Sequence, residues 1–180
     1  MLTILGTWLE AYGIGIPQET GEAVYLLGVN YQVGAVLFTG CMGGKNAAAL
    51  SQVAYLILGL FLFERFGISV FTEGAGLTYL RSPAFGYLLG FVPAGWLCGS
   101  IAFGGKATIE RFAFSGLCGV AVIHVCGVLY LTLGHLFRWL NDPPLWAAIV
   151  RYSVAQAPGQ MMVVCAIALI AYGMRRALFY

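Results

Sequence analysis

Charged residues punctuate this chain, and between them apolar side chains follow one another without the polar face that marks a helix on the surface of a soluble protein. Five such runs lie between Glu22 and Lys45, Lys45 and Glu64, Arg81 and Lys106, Arg111 and Arg138, and Arg151 and Arg175. Each exceeds the roughly 17 residues that a membrane-spanning helix needs. An unpaired charge at mid-membrane costs about 3 kcal/mol or more, so charges mark where spans end. A weaker apolar segment, residues 2 to 16, opens the chain. The pattern predicts an all-α integral membrane protein, a compact bundle of six transmembrane helices forming one domain over residues 1–180.

Composition agrees. Apolar residues make up 61% of the 180 positions and charged residues 9%, against roughly half and a quarter in soluble domains. The bilayer is the expected solvent. Nine basic and seven acidic residues, net +2, are scattered at segment edges without a basic run that could track a phosphate backbone, which excludes nucleic acid as a partner. Cys41, Cys98, Cys118, Cys126 and Cys165 sit inside apolar stretches without the close pairing of a zinc or redox site and are read as buried free thiols. The opening MLTILGTWLEAYG has no early Lys or Arg, so it reads as a retained segment and not a signal peptide. It is short for a span and carries Glu10, the expectation for a chain that lacks some upstream residues.

Six spans put both termini on one side. With that side cytoplasmic, Lys45, Lys106, Arg111, Arg175 and Arg176 fall inside and Arg65, Arg81, Arg138 and Arg151 outside, five against four. The inner connections, CMGGKNAA and FGGKATIER, are short and glycine-containing; the outer stretches IPQETGEAVYLLG, RFGISVFTEGAGLTYLRSP and RWLNDPPLW are longer and rich in aromatics, Gly and Pro. Loops of that kind in a small protein are functional candidates, which places the binding face outside. Gly86, Gly90, Ala94 or Gly95, and Gly99 form a small-residue spacing along the fourth helix, read as intrachain packing, and Pro93 and Pro158 are expected to kink their helices.

There is no phosphate-binding GxxxxGK[ST] loop, no dinucleotide fingerprint, no nucleophile elbow and no metal-ligand spacing around His124 and His135. Neither catalytic residues nor a metal or cofactor are assigned. The candidate chemistry lies instead in polar groups within apolar helices, each of which must find a partner away from water. Asn30, Tyr31 and Gln32 open the second helix; Gln52 and Tyr55 lie in the third; His124 and Tyr130 in the fifth; Arg151, Gln156 and Gln160 in the sixth. Helix-to-helix bonding and ligand contact are equally open for each, and His124 reads as a packing donor.

The stretch GISVFTEGAGLTYLRSPAFGYLLGF, residues 67–91, resembles the BioY family, the biotin-binding S components of energy-coupling factor transporters. The shared elements are Val70, Phe71, Gly74, Gly76 and Tyr79, then Pro83, Gly86, Tyr87, Leu88, Gly90 and Phe91. The likeness continues through YQVGAVL with Gln32, ALSQVAYLILG, IHVCGVLYL and APGQMMVVCAIALI. Two regions depart from the family pattern. Where the family commonly has Pro-Gly-Asp and a Lys three residues on, this chain has Pro158, Gly159, Gln160 and Val163, and Glu73 stands in the glycine loop.

The resemblance implies a multi-pass protein of a bacterial-type cell membrane that captures biotin at its outer face. Its implied partners are a transmembrane coupling protein and two ATPase subunits. Amides such as Gln32 and Gln160 would then suit the ureido group, Phe71, Tyr79 and Tyr87 the thiophane ring, and Gly74 and Gly76 would belong to a lid, with Tyr55 a further substrate-binding candidate. For the carboxylate, with the family lysine absent, Arg81 and Arg151 are the candidates. Capture of another small vitamin by the same architecture, and a structural membrane protein without transport, remain the alternatives.

Overall fold

The computed structural model describes residues 2–14, 24–62, 70–71, 76–140 and 142–179. Helix dominates because uniformly apolar runs in lipid can satisfy their backbone only internally. The elements are α1 (Leu2–Trp8), the strands β1 (Glu10–Ile14) and β2 (Val24–Asn30), α2 (Gln32–Ile57) with a π-turn over Leu58–Leu62, a 3-10 turn over Leu77–Arg81, α3 (Phe85–Leu89), α4 (Phe91–Ala102), α5 (Ile109–Leu136), α6 (Leu145–Ile149) with a π-turn over Val150–Val154, and α7 (Ala157–Phe179). Among the described residues, three helical stretches are long and apolar enough to cross a membrane: Phe85–Ala102, Ile109–Leu136 and Leu145–Leu178.

The first predicted span is not one helix. α1 ends at Trp8, about 10 Å long at the helical rise, and the chain turns into β1, which pairs antiparallel with β2. The cause lies in the backbone: the Tyr31 amide donates to the Leu9 carbonyl at 2.9 Å, and Glu10, opposite Asn30, begins a ladder where a charge would otherwise enter the apolar layer. α1 is tied instead to the second arm of α2 through Thr3 Oγ1, which donates to Gln52 Oε1 at 3.2 Å.

The second and third predicted spans are the two arms of α2, folded back at Gly44. Its φ of 77° is open to glycine at little cost. The turn is pressed onto α4 at Gly99, where a Cβ would stand 2.4 Å from the Lys45 nitrogen. The other small residues of that face also meet neighbours within the chain, Gly86 against Tyr130 and Gly95 against Ala48.

Both prolines act as expected. The break between α3 and α4 falls at Gly90, one residue after Leu89, whose carbonyl lies four positions before Pro93. The π-turn before α7 ends at Val154, four positions before Pro158. A proline ring clashes with that carbonyl and offers it no donor, so the helix must readjust there. α5 is uninterrupted; Thr108 Oγ1 caps it by accepting from the Arg111 amide at 3.3 Å.

Two ends of the bundle differ in charge. Lys45 lies under Trp96, with its ammonium 5.7 Å from the ring centroid. Arg175 Nη1 donates to the Ala102 carbonyl at 3.2 Å, and the Arg111 head lies beside Gly105. Lys106 and Arg176 line one groove at the same end. At the opposite end Tyr130 Oη donates to the Leu80 carbonyl and His135 Nε2 donates to the Pro143 carbonyl at 3.1 Å. In the core, the Cys41 and Cys98 sulfurs are 3.7 Å apart, each 3.6 Å from Ser115 Oγ. These two thiols are buried, whereas Cys118 and Cys126 are half-buried and Cys165 is exposed on α7.

Candidate functional site

A cavity of about 150 Å³ opens where β2 ends, α2 begins, and α3, α5 and the region before and into α7 converge. Its polar wall has two sides. Asn30 and Gln32 come from the junction of β2 and α2; Tyr152, Gln156 and Gln160 come from the last long helical stretch. Tyr79 and Tyr87 close it from the 3-10 turn and α3, and Val29, Val33, Ala84, Leu88, Phe91 and Ile123 supply the apolar part. No charged side chain lines it among the described residues.

The amides are held in fixed orientations. Gln32, 4% exposed, donates from Nε2 to Tyr55 Oη at 2.6 Å, and Tyr55 Oη donates onward to the Val70 carbonyl at 3.2 Å. One N–H and the carbonyl of Gln32 are left for the cavity. Across it, His124 Nε2 donates to Gln160 Oε1 at 2.8 Å, and Gln160 Nε2 donates to Gln156 Oε1 at 3.2 Å. Because an amide oxygen accepts only, this relay has one direction, from His124 outward, and it leaves the Gln156 amino group as a donor at the wall. Tyr87 Oη shares a hydrogen bond with Ser153 Oγ at 2.7 Å, and its ring stands edge-on to His124, with centroids 5.9 Å apart.

The sequence-derived candidates divide into layers. Gln32, Tyr79, Tyr87 and Gln160 are in the wall. Tyr55 and Phe71 stand directly behind it: Phe71 meets Tyr55 edge-on at 5.4 Å and Tyr79 at 4.7 Å between centroids. Gly76 has φ 91°, and its amide donates to the Gly59 carbonyl at 3.0 Å, anchoring the start of the 3-10 turn. Gly74 lies outside the described residues. Arg151 is exposed and absent from the wall; its guanidinium is 5.6 Å from the ring centroid of Tyr152, which does line the cavity. Arg81, the other cation considered, is also exposed and lies outside the wall.

Tyr152 was missed, and Asn30 and Gln156 were noticed among the polar residues without being kept as site residues. Spacing was the available signal. Tyr152, Gln156 and Gln160 recur every four residues and share a helix face, whereas Arg151 and Gln160, nine steps apart, point about 180° from each other on an ideal helix. Phe91 and Ile123 carry no such signal, since an apolar residue in an apolar helix looks alike whether it faces ligand, lipid or core.

Comparison with known proteins identifies the family and the fold. A model of the BioY family matches residues 13–179. An uncharacterised 21.2 kDa protein of Cyanophora paradoxa is 28% identical over 178 residues, covering 98% of this chain and 89% of that protein. The "Probable biotin transporter BioY" of Lysinibacillus sphaericus is 33% identical over 119 residues, 66% of this chain and 58% of that protein. The biotin transporter BioY of Thermotoga maritima is 29% identical over 131 residues, 72% and 68% respectively. The crystal structure of the S-component for biotin from an ECF-type ABC transporter superposes with a TM-score of 0.65 at 19% identity, covering 97% of this chain and 85% of that one, so the two share a fold. With the family model spanning nearly its whole length, the chain belongs to the BioY family.

Proposed function

We propose that this protein is the substrate-capture subunit of an energy-coupling factor uptake transporter and that biotin is its ligand. The observation that carries the reading is the cavity itself: it is lined by the amides of Asn30, Gln32, Gln156 and Gln160 and flanked by Tyr79, Tyr87 and Tyr152. A ureido ring offers two N–H donors and one carbonyl acceptor, and primary amides present the complementary set. Tyr79 and Tyr87 provide an apolar body for the thiophane ring with a polar tip. Tyr55 and Phe71 support the wall from behind, and the segment from Val70 to Tyr79, with Gly74 and Gly76, acts as the lid.

The carboxylate tail leaves the cavity toward Arg151, whose guanidinium lies 5.6 Å from the ring centroid of Tyr152. A charge met at the mouth keeps much of its hydration, so the apolar interior need not bear an ion. This route accommodates the loss of the family's Asp and Lys, with Gln160 and Val163 in their place.

Family membership supports the rest of the reading. The chain works as one transmembrane unit over residues 1–180, in a bacterial-type cell membrane. The two arms of α2 and the three long stretches supply five crossings, and α1, seven residues long, is too short to make a sixth by itself. A transmembrane coupling protein and two ATPase subunits drive release, while this chain binds and has no catalytic role.

One specific feature favours a second reading, capture of another small metabolite. The wall is neutral among the described residues, which suits an uncharged head as well as biotin. Thermal unfolding of the purified protein against a panel of water-soluble vitamins separates the two. Biotin is expected to raise Tm at micromolar concentration and the others not to. A larger shift from a different vitamin would transfer the assignment to it.

A further inference from the structure

A second cavity, about 520 Å³, lies at the basic end of the bundle, far from the amide-lined site. It is a groove between the α4–α5 connection, which contributes Lys106 and Ala107, and the end of α7, which contributes Tyr172 and Arg176. Arg176 Nη1 donates to Tyr172 Oη at 3.1 Å, a bond at the exposed surface that ties its guanidinium to the groove. The connection is surrounded by further positive charge. Arg111 lies beside Gly105, and buried Arg175 has its guanidinium 4.1 Å from the Phe103 ring centroid. Across residues 24–62, 76–140 and 144–179 the one carboxylate side chain is Glu110, which is exposed.

Cations gathered this way raise each other's energy unless an anion joins them. The position selects the anion. The groove lies where the spans Phe85–Ala102 and Ile109–Leu136 end, which is headgroup depth, and its Tyr is the residue type that settles at that level. Toward the membrane interior the same side of α7 continues with Leu169, 59% exposed, which offers an acyl chain an apolar path beside Tyr172. Basic pockets between transmembrane helices are known to hold anionic headgroups.

We propose that the groove between Lys106 and Arg176 binds the phosphodiester headgroup of an anionic glycerophospholipid. The two cations clasp the phosphate, the Tyr172 hydroxyl supports the guanidinium, and an acyl chain lies along α7. The assignment is independent of which ligand the amide-lined cavity takes.

The test is native mass spectrometry of the purified protein in detergent, with phosphatidylglycerol and phosphatidylcholine of identical acyl chains supplied together. Phosphatidylglycerol is expected to be retained roughly tenfold over phosphatidylcholine. The preference should collapse in Lys106→Gln with Arg176→Gln, persist in Lys106→Arg, and persist in Arg138→Gln at the opposite end. It should also weaken as salt rises, since both cations are exposed. Should the double variant fail to purify, the wild-type lipid ratio, its salt dependence and the single Lys106→Gln variant decide. Equal retention of the two lipids, or a preference unchanged by the Lys106 and Arg176 substitutions, overturns the proposal. Inorganic phosphate displacing the lipid at equimolar concentration would overturn it too, since the groove would then recognise a free anion and not a lipid.

Discussion

Gln32 Nε2 donates to Tyr55 Oη at 2.6 Å although the two residues are 23 positions apart in one helical element. A straight helix would separate them by about 35 Å, so this bond is the signature of the fold-back at Gly44. It also sets which atoms of Gln32 remain for a ligand. Gln32→Leu keeps bulk and removes the donor and the acceptor, leaving ligand groups unpaired at about 1 to 3 kcal/mol. Biotin affinity should fall about ten- to a hundredfold, as read by titration calorimetry with the variant still folded. Tyr55→Phe removes the anchor alone and should weaken binding less; unchanged affinity in Gln32→Leu would reduce that residue to a link between the arms of α2.

The lid makes a separate prediction. Gly76 sits at φ 91° and is tied to Gly59, and Tyr79, from the 3-10 turn it starts, faces the cavity. Ligand should therefore slow backbone hydrogen exchange across 76–81 more than in α5. Equal protection with and without saturating biotin would remove the lid from the account. Gly76→Ala, which places a side chain in a backbone region closed to it, should weaken binding through the same segment.

Much of this was legible in the sequence, for identifiable reasons. Gln32 and Gln160 stood out because a primary amide inside an apolar helix must be paired, and both prove to be paired and in the wall. Lys45 marked the turn of α2 because a charge cannot stay in the apolar layer. The opening segment misled because residues 2–16 are apolar enough for a helix, yet pairing of 10–14 with 24–30 is a non-local choice that periodicity does not record. Arg151 drew attention by its charge, whereas its neighbour Tyr152 had the helical phase that leads to the cavity.

Arg151 is tested by changing the ligand's charge. If the carboxylate meets its guanidinium at the mouth, Arg151→Gln should weaken biotin more than biotin amide, and Arg81→Gln should discriminate less. Equal losses for both ligands in Arg151→Gln would make it an interfacial anchor stacked on Tyr152.

The membrane orientation expected here rests on an excess of basic residues at one end of the bundle, five against four. Five basic residues, Lys45, Lys106, Arg111, Arg175 and Arg176, belong to the end that also holds the α2 turn, and basic connections favour the cytoplasm. A membrane-impermeant thiol reagent applied from outside should miss Asn46→Cys and Ala107→Cys and label Asp142→Cys. Labelling of Asn46→Cys from outside would invert the topology and put the amide-lined cavity on the inner face.

The central claim, that the cavity between Gln32 and Gln160 is a biotin site, is tested most directly by titrating biotin into the purified protein beside its Gln160→Leu variant. The wild type should bind saturably with one biotin per chain. The variant breaks the relay from His124 and should bind at least about tenfold more weakly on the cost of one unpaired buried group. Absence of saturable binding, or one-to-one binding with the same affinity in Gln160→Leu, would contradict it.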